Sequence, residues 1–275
     1  MKNINEAIAL FQNGQLDEAE KICINIKKHE PQNLINLNLY GIILFQKKEY
    51  NRSIQIITES ININQNQAEA YNNLGIVNMQ IKKFNESIIA FEHALKINPN
   101  FVDVYNNLGI SFKEVNNKNE AIKSWKKGIE IEKNNPKAYN NIGSIYFETN
   151  KFNELINYFN KAIDINKKFF EAYLNRGNAF QKIKLYEDSL ADYNSAINLN
   201  SQNAEIYIAR GYSYKNLNKL EETFKDWKTA CKLNKKYQYL LGNIFYQKKK
   251  LCDWISYEKD FSYIKENISQ LSKII

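Results

Sequence analysis

The chain is poor in the residues that tight turns, disulfide frameworks and metal sites need. Nine Gly and three Pro in 275 residues are too few for a sheet protein with many sharp connections, so an all-helical chain is expected. The three cysteines, Cys23, Cys231 and Cys252, are an odd number at distant positions without metal-ligand spacing. That pattern excludes a disulfide framework or a zinc site and leaves reduced thiols, two of them in helix cores. The two histidines, His29 and His93, stand far apart with no Ser, Cys or metal-binding partner at suitable spacing, and no Gly-rich phosphate loop is present. No catalytic residue, cofactor or metal site is therefore expected. No apolar run reaches the roughly 18–20 residues of a spanning helix, and the start, Met1-Lys2-Asn3-Ile4-Asn5-Glu6, carries no apolar signal core. A cytoplasmic chain without membrane contact is the expectation.

What is present is ordinary for a folded chain: 44% hydrophobic and 25% charged residues. The formal net charge of +8 invites a nucleic-acid partner. The excess, however, is Lys spread along the whole chain beside heavy use of Asn, Ile and Tyr, residues that A- and T-rich codons encode. Such a bias raises Lys everywhere and marks no binding patch, so no nucleic-acid partner is expected. At 275 residues the length suits two ordinary domains or one extended repeat array.

The repeats decide for the array. Gly41, Gly75, Gly109, Gly143, Gly177 and Gly211 follow one another at intervals of 34 residues, and Ala7 extends the series backwards. The surroundings recur too: Tyr71-Asn72-Asn73-Leu74-Gly75, Tyr105-Asn106-Asn107-Leu108-Gly109, Tyr139-Asn140-Asn141-Ile142-Gly143. Counting from Ala68 as position 1, the glycine is at position 8, a large apolar residue at 24 (Phe91, Trp125, Phe159, Tyr193, Trp227), and small residues at 20 and 27. Small residues let two antiparallel helices, A and B, approach closely, while aromatics at 4, 17 and 24 fill the volume between them. Period and pattern resemble the tetratricopeptide repeat. The resemblance implies seven helix hairpins, at 1–33, 34–67, 68–101, 102–135, 136–169, 170–203 and 204–237. Stacked, they make a right-handed superhelical solenoid whose concave face is lined by helix A.

Position 18 holds Asp17, Asn51, Asn85, Asn119 and Asn153, read as caps for the first free amides of helix B. Asn64, Asn98, Asn166, Asn200 and Asn234 mark the end of helix B, with Pro31, Pro99 and Pro136 near the junctions.

The asparagines inside helix A have no such explanation. Position 6 holds Asn73, Asn107, Asn141 and Asn175, and position 5 holds Asn38, Asn72, Asn106 and Asn140, where Asn is about 0.6 kcal/mol less favourable than Ala. Spaced by one repeat, their amides would offer donors and acceptors to the backbone of an extended peptide without reading its side chains. Codon bias and the frequency of Asn at this place in the family are the competing reading. The clamp with which some family members grip a C-terminal carboxylate needs Lys and Arg on successive A helices. Here those places hold Asn, Asp and Glu, such as Asp103 and Glu171, so chaperone-tail binding is not expected. Arg176 and Arg210 replace an apolar residue at position 7; they either snorkel from the helix interface or reach toward a ligand.

After Lys235 the character changes. Tyr239-Leu240-Leu241-Gly242 reads as the start of a partial eighth repeat, followed by Leu251-Cys252-Asp253-Trp254 and a helix from about Ile255 to Leu271, so 238–275 forms a C-terminal segment of its own. The cluster Leu251 to Trp254, with Tyr257-Glu258 after it, is similar to the junction of O-GlcNAc transferase-like glycosyltransferases, where the repeats hand over to the catalytic domain. That resemblance implies the substrate-recruiting, non-catalytic part of a protein glycosyltransferase, with other proteins or peptides in extended conformation as partners. A free-standing scaffold, with Trp254 packing a capping helix, is the alternative.

Overall fold

A computed structural model describes residues 3–237, 239 and 240. Among them the fold is all-α, with fourteen helices and no strand. The helices alternate between 13 and 14 residues from the third onward, and helix A begins every 34 residues: α3 (Leu34–Gln46), α5 (Ala68–Gln80), α7 (Val102–Glu114), α9 (Pro136–Glu148), α11 (Phe170–Lys182), α13 (Ala204–Asn216). Each is followed by its helix B: α4 (Tyr50–Ile63), α6 (Phe84–Ile97), α8 (Lys118–Ile131), α10 (Phe152–Ile165), α12 (Tyr186–Leu199), α14 (Leu220–Leu233). The shorter α1 (Ile4–Gln12) and α2 (Leu16–His29) open the series, and a 3-10 turn, Lys235–Tyr237, follows α14. The chain divides into two compact units, 1–138 and 139–275, each taken by itself below. The C-terminal segment from residue 241, with Cys252, Trp254 and the expected junction, lies outside the described residues.

From the second hairpin onward, each closes on contact between a glycine and the large residue at position 24. A methyl group on Gly143 would come within 2.7 Å of the Phe159 ring, and one on Gly177 within 2.8 Å of the Tyr193 ring. Both rings are fully buried, so the helices meet this closely only because the glycines leave room. Trp125 and Trp227 are likewise fully buried. Their indole N–H groups donate to helix-A carbonyls, of Asn106 at 3.1 Å and Ile208 at 3.3 Å, so a large polar-tipped ring leaves no orphan donor. Small residues at position 20 are fully buried as expected: Ala19, Ser53, Ser87, Ala121 and Ser189. Ser87 also bonds Ser111 of the next repeat at 2.8 Å, and Ser189 bonds Ser213 at 2.7 Å, which ties neighbouring hairpins together.

The turn from A to B differs from the sequence expectation. Helix B starts one residue before position 18, so Asp17, Asn51, Asn85 and Asn119 lie within its first turn and are not caps. The N-cap residues of α2, α4, α6, α10, α12 and α14 make no side-chain cap bond; only Asn117, before α8, accepts one, from Glu120 N at 3.4 Å. The turn is instead built from backbone. Gly14, Lys48, Lys82, Asn116, Asn150, Lys184 and Asn218 take positive φ, from 56° to 76°. After α3, Lys48 N–H donates to Phe45 O and Glu49 N–H to Leu44 O, both at 2.9 Å, and the pair recurs at every hairpin. This is the Schellman arrangement, which satisfies the last carbonyls of helix A and reverses the chain. The B-to-A junction follows expectation. Asn64, Asn98, Asn166, Asn200 and Asn234 cap the C-termini of their helices, and each side-chain oxygen accepts from the backbone N–H two residues on, at 2.8–3.2 Å. Pro136 is the first residue of α9, where its missing N–H costs nothing.

Candidate functional site

Helix A brings the asparagines to its half-buried face. In the first unit Asn73 and Asn107 are half-buried, and so are Asn141 and Asn175 in the second. Among the described residues the side chains of Asn73, Asn107 and Asn141 make no hydrogen bond, whereas Asn175 Nδ2 donates to Asn140 Oδ1 at 2.9 Å. Asn73 borders a small, largely apolar cavity of about 150 Å³ with Ile42, Phe45, Ile57, Ile76 and Val77. An amide beside an apolar recess of that size is suited to hold a peptide backbone while one side chain seats next to it.

Position 5 is different. Asn140 is buried, and the oxygens of Asn38, Asn72 and Asn106 are buried without a partner; Asn38 Nδ2 donates to Gln67 Oε1 at 3.1 Å. The bond from Asn175 to Asn140 supplies what Asn72 and Asn106 lack: a donor from position 6 of the following repeat. An orphan buried acceptor costs about 1–3 kcal/mol. Asn140 thus serves as a partner for its neighbour's position 6, while the oxygens of Asn72 and Asn106 stay unpaired among the described residues.

Arg176 and Arg210 neither snorkel nor reach outward. Arg176 is held by both oxygens of Asp192, at 2.8 and 2.6 Å, and donates to Asn160 at 2.6 Å. Arg210 repeats this with Asp226, at 2.7 and 2.6 Å, and with Asn194 at 2.6 Å. Each guanidinium also lies near two rings, Arg176 5.8 Å from Tyr173 and Phe180, Arg210 5.7 Å from Tyr207 and Tyr214. Burial pushes both carboxyls up, and the facing guanidinium offsets part of that. The sequence hinted at this through Asp at position 23 in the same two repeats as the arginines.

The other charged cluster ties the first two hairpins. Glu20, 7% exposed, takes Lys47 at 2.5 Å and Arg52 at 2.8 Å, and Arg52 also donates to Tyr40 Oη at 2.7 Å. Burial pushes the Glu20 carboxyl up, but hydrogen bonds from Lys47 and Arg52 outweigh it and leave it below its ordinary value. Every charge here is paired, which is the arrangement of a structural cluster. Both buried thiols are pushed up by burial, Cys23 to about 12 and Cys231 to about 11, so neither is an activated nucleophile. His93 stacks on Tyr71 with centroids 5.1 Å apart. Among the described residues no group of His, Cys, Asp and Glu could hold a metal ion, and no helix is long and apolar enough to cross a membrane.

Comparison with known proteins agrees with this architecture. Models of the tetratricopeptide repeat match residues 68–101, 90–123 and 170–203, and a model described as TPR repeat matches 114–150 and 143–184. A stretch of 75 residues is 40% identical to the UDP-N-acetylglucosamine--peptide N-acetylglucosaminyltransferase of Caenorhabditis elegans, covering 27% of this chain and only 6% of that protein. Among solved structures, MamA is 26% identical, with a TM-score of 0.57 over 61% of this chain and 97% of its own. A tetratricopeptide repeat protein from Parabacteroides merdae ATCC 43184 is 16% identical, with a TM-score of 0.70 over 88% and 96%. YrrB, described as a TPR protein with an unusual peptide-binding site, is 15% identical, with a TM-score of 0.53 over 68% and 96%. The last two likenesses concern the fold alone.

Proposed function

Because the chain is a tetratricopeptide repeat protein, a protein–protein interaction module, we propose that it binds extended polypeptide along the helix-A face. The position 6 amides of Asn73 and Asn107 in one unit and Asn141 and Asn175 in the other hold the peptide backbone. Asn72, Asn106 and Asn140 line the groove beside them, and Asn140 holds the amide of Asn175. The observation that carries this reading is that Asn73, Asn107 and Asn141 present half-buried side-chain amides that no described group engages. A helix-interior Asn that bonds nothing in its own chain has a propensity cost without an internal gain. A backbone strand laid across it would supply both a donor and an acceptor. The finer reading is recruitment of substrates for a protein glycosyltransferase. It is supported by the 40% identity to the C. elegans enzyme over 75 residues and by residues 251–254, whose sequence resembles the junction of such enzymes.

The test replaces Asn73, Asn107, Asn141 and Asn175 together by Ala and screens wild type and variant against an array of intrinsically unstructured peptides. The expected result is a loss of binding of about tenfold or more, spread evenly over peptides of different sequence, with helicity and melting temperature retained. Unchanged binding by a folded variant would remove the amides from the site. Loss confined to one peptide sequence would replace backbone holding by side-chain reading.

A further inference from the structure

Repeats four to seven share one construction whose outcome differs in a single repeat. In each, aromatic rings stand at positions 4 and 11 of helix A: Tyr105 and Phe112, Tyr139 and Tyr146, Tyr173 and Phe180, Tyr207 and Tyr214. In the fifth, Tyr158 from position 23 fills the space between the pair, its ring 6.3 Å from Tyr139 and 5.3 Å from Tyr146. In the sixth and seventh the filler is the guanidinium of Arg176 or Arg210, held by Asp192 or Asp226 and by Asn160 or Asn194 at position 25 of the preceding repeat. The fourth has no filler. Leu108 stands where the arginine would be and Ser124 where the aspartate would be. An open cleft of about 510 Å³ results, lined by Tyr105, Leu108, Phe112, Ser124, Glu92 and Glu120 among others.

We infer that this cleft between α6, α7 and α8 receives an arginine side chain from a partner protein, seated as Arg176 and Arg210 are seated in their own repeats. Glu92 occupies position 25 of the third repeat, the place from which Asn160 and Asn194 accept a guanidinium N–H at 2.6 Å. A carboxylate there makes a charge-assisted bond and compensates for the missing aspartate. The two rings supply faces for the planar cation. Lys96, Lys123 and Lys127 also border the cleft, and Lys123 is paired with Glu120 at 3.2 Å. Selection for a cation thus rests on Glu92 and the rings, against a positive rim.

The experiment titrates the whole ¹⁵N-labelled protein with N-acetyl-arginine amide and follows the backbone amides of Glu92, Tyr105 and Phe112. Saturable shifts at those three are expected. N-acetyl-citrulline amide, the neutral isostere, should bind roughly tenfold more weakly, as should arginine amide to Glu92→Gln. Leu108→Arg with Ser124→Asp installs the internal filler of the later repeats and should abolish the shifts. Should that double variant not fold, Glu92→Gln and the citrulline comparison decide alone. The inference is overturned by any of three outcomes: no saturable shift, equal binding of citrulline amide or N-acetyl-phenylalanine amide, or preferential binding of N-acetyl-glutamate amide at the lysine rim.

Discussion

Single residues at the hairpin turns carry a strain that the rest of the repeat tolerates. Lys48, Lys82 and Lys184 hold φ between 62° and 64°, where a side chain costs roughly 1–2 kcal/mol that Gly does not incur. Replacing Lys82 by Gly is expected to raise stability by about 0.5–1 kcal/mol, after the greater unfolded-state freedom of Gly is subtracted. The same change at Asn116 should gain less, because Asn tolerates this region better than Lys. Chemical denaturation of both variants measures the contrast, and equal gains would refute the argument. A second residue-scale prediction concerns acid. The carboxyl of Glu20 is held below its ordinary 4.5 by Lys47 and Arg52. A depressed carboxyl stabilises the fold fully above its unfolded value, and that contribution fades as pH falls through the folded one. The stability difference between wild type and Glu20→Gln should therefore be constant above about pH 5 and shrink below pH 4.5. A difference that instead shrinks between pH 6 and 8 would implicate another group.

At the scale of the helix pair, the glycine at position 8 and the large residue at position 24 act as one unit. Gly143→Ala would gain about 0.5–1 kcal/mol of helix propensity, yet its methyl would lie 2.7 Å from the buried Phe159 ring. Overpacking of this kind costs about 1–3 kcal/mol, so net destabilisation is expected by thermal melting. Adding Phe159→Leu should recover part of the loss, and additive single effects would mean that the two positions do not meet. This pairing is what made the fold readable: a 34-residue period in glycines and bulky residues reports packing directly. The turn was less legible. Asn and Asp near a helix start suggest side-chain capping, but the chain reverses through backbone bonds at residues as different as Lys48, Asn116 and Gly14, and a backbone motif leaves little trace in side chains. The asparagines of helix A stood out because their cost is local and visible. That Asn140 serves Asn175 while Asn72 and Asn106 lack a donor depends on contacts between repeats, which no single repeat reveals.

For the whole molecule, the consequence of repetition is that stability is a sum of hairpins and their nearest neighbours rather than the property of one core. The charged clusters lie in different compact units: Glu20 with Lys47 and Arg52 in the first, Arg176 with Asp192 and Arg210 with Asp226 in the second. Asp192→Asn leaves a partly buried guanidinium without its carboxylate, a change that costs about 2–3 kcal/mol where burial is incomplete. In a protein with one shared core that cost would appear in every slowly exchanging amide. In an array it should appear near the mutation. Hydrogen exchange of Asp192→Asn is thus expected to show lost protection in α11, α12 and α13 and wild-type protection in α2, α3 and α4. The Glu20→Gln variant should show the reverse. Uniform loss across all helices in either variant would mean that the chain unfolds as a single cooperative body. Local loss would mean that one hairpin can open or adapt while the others keep their own asparagines in place, which is the property an extended peptide site needs.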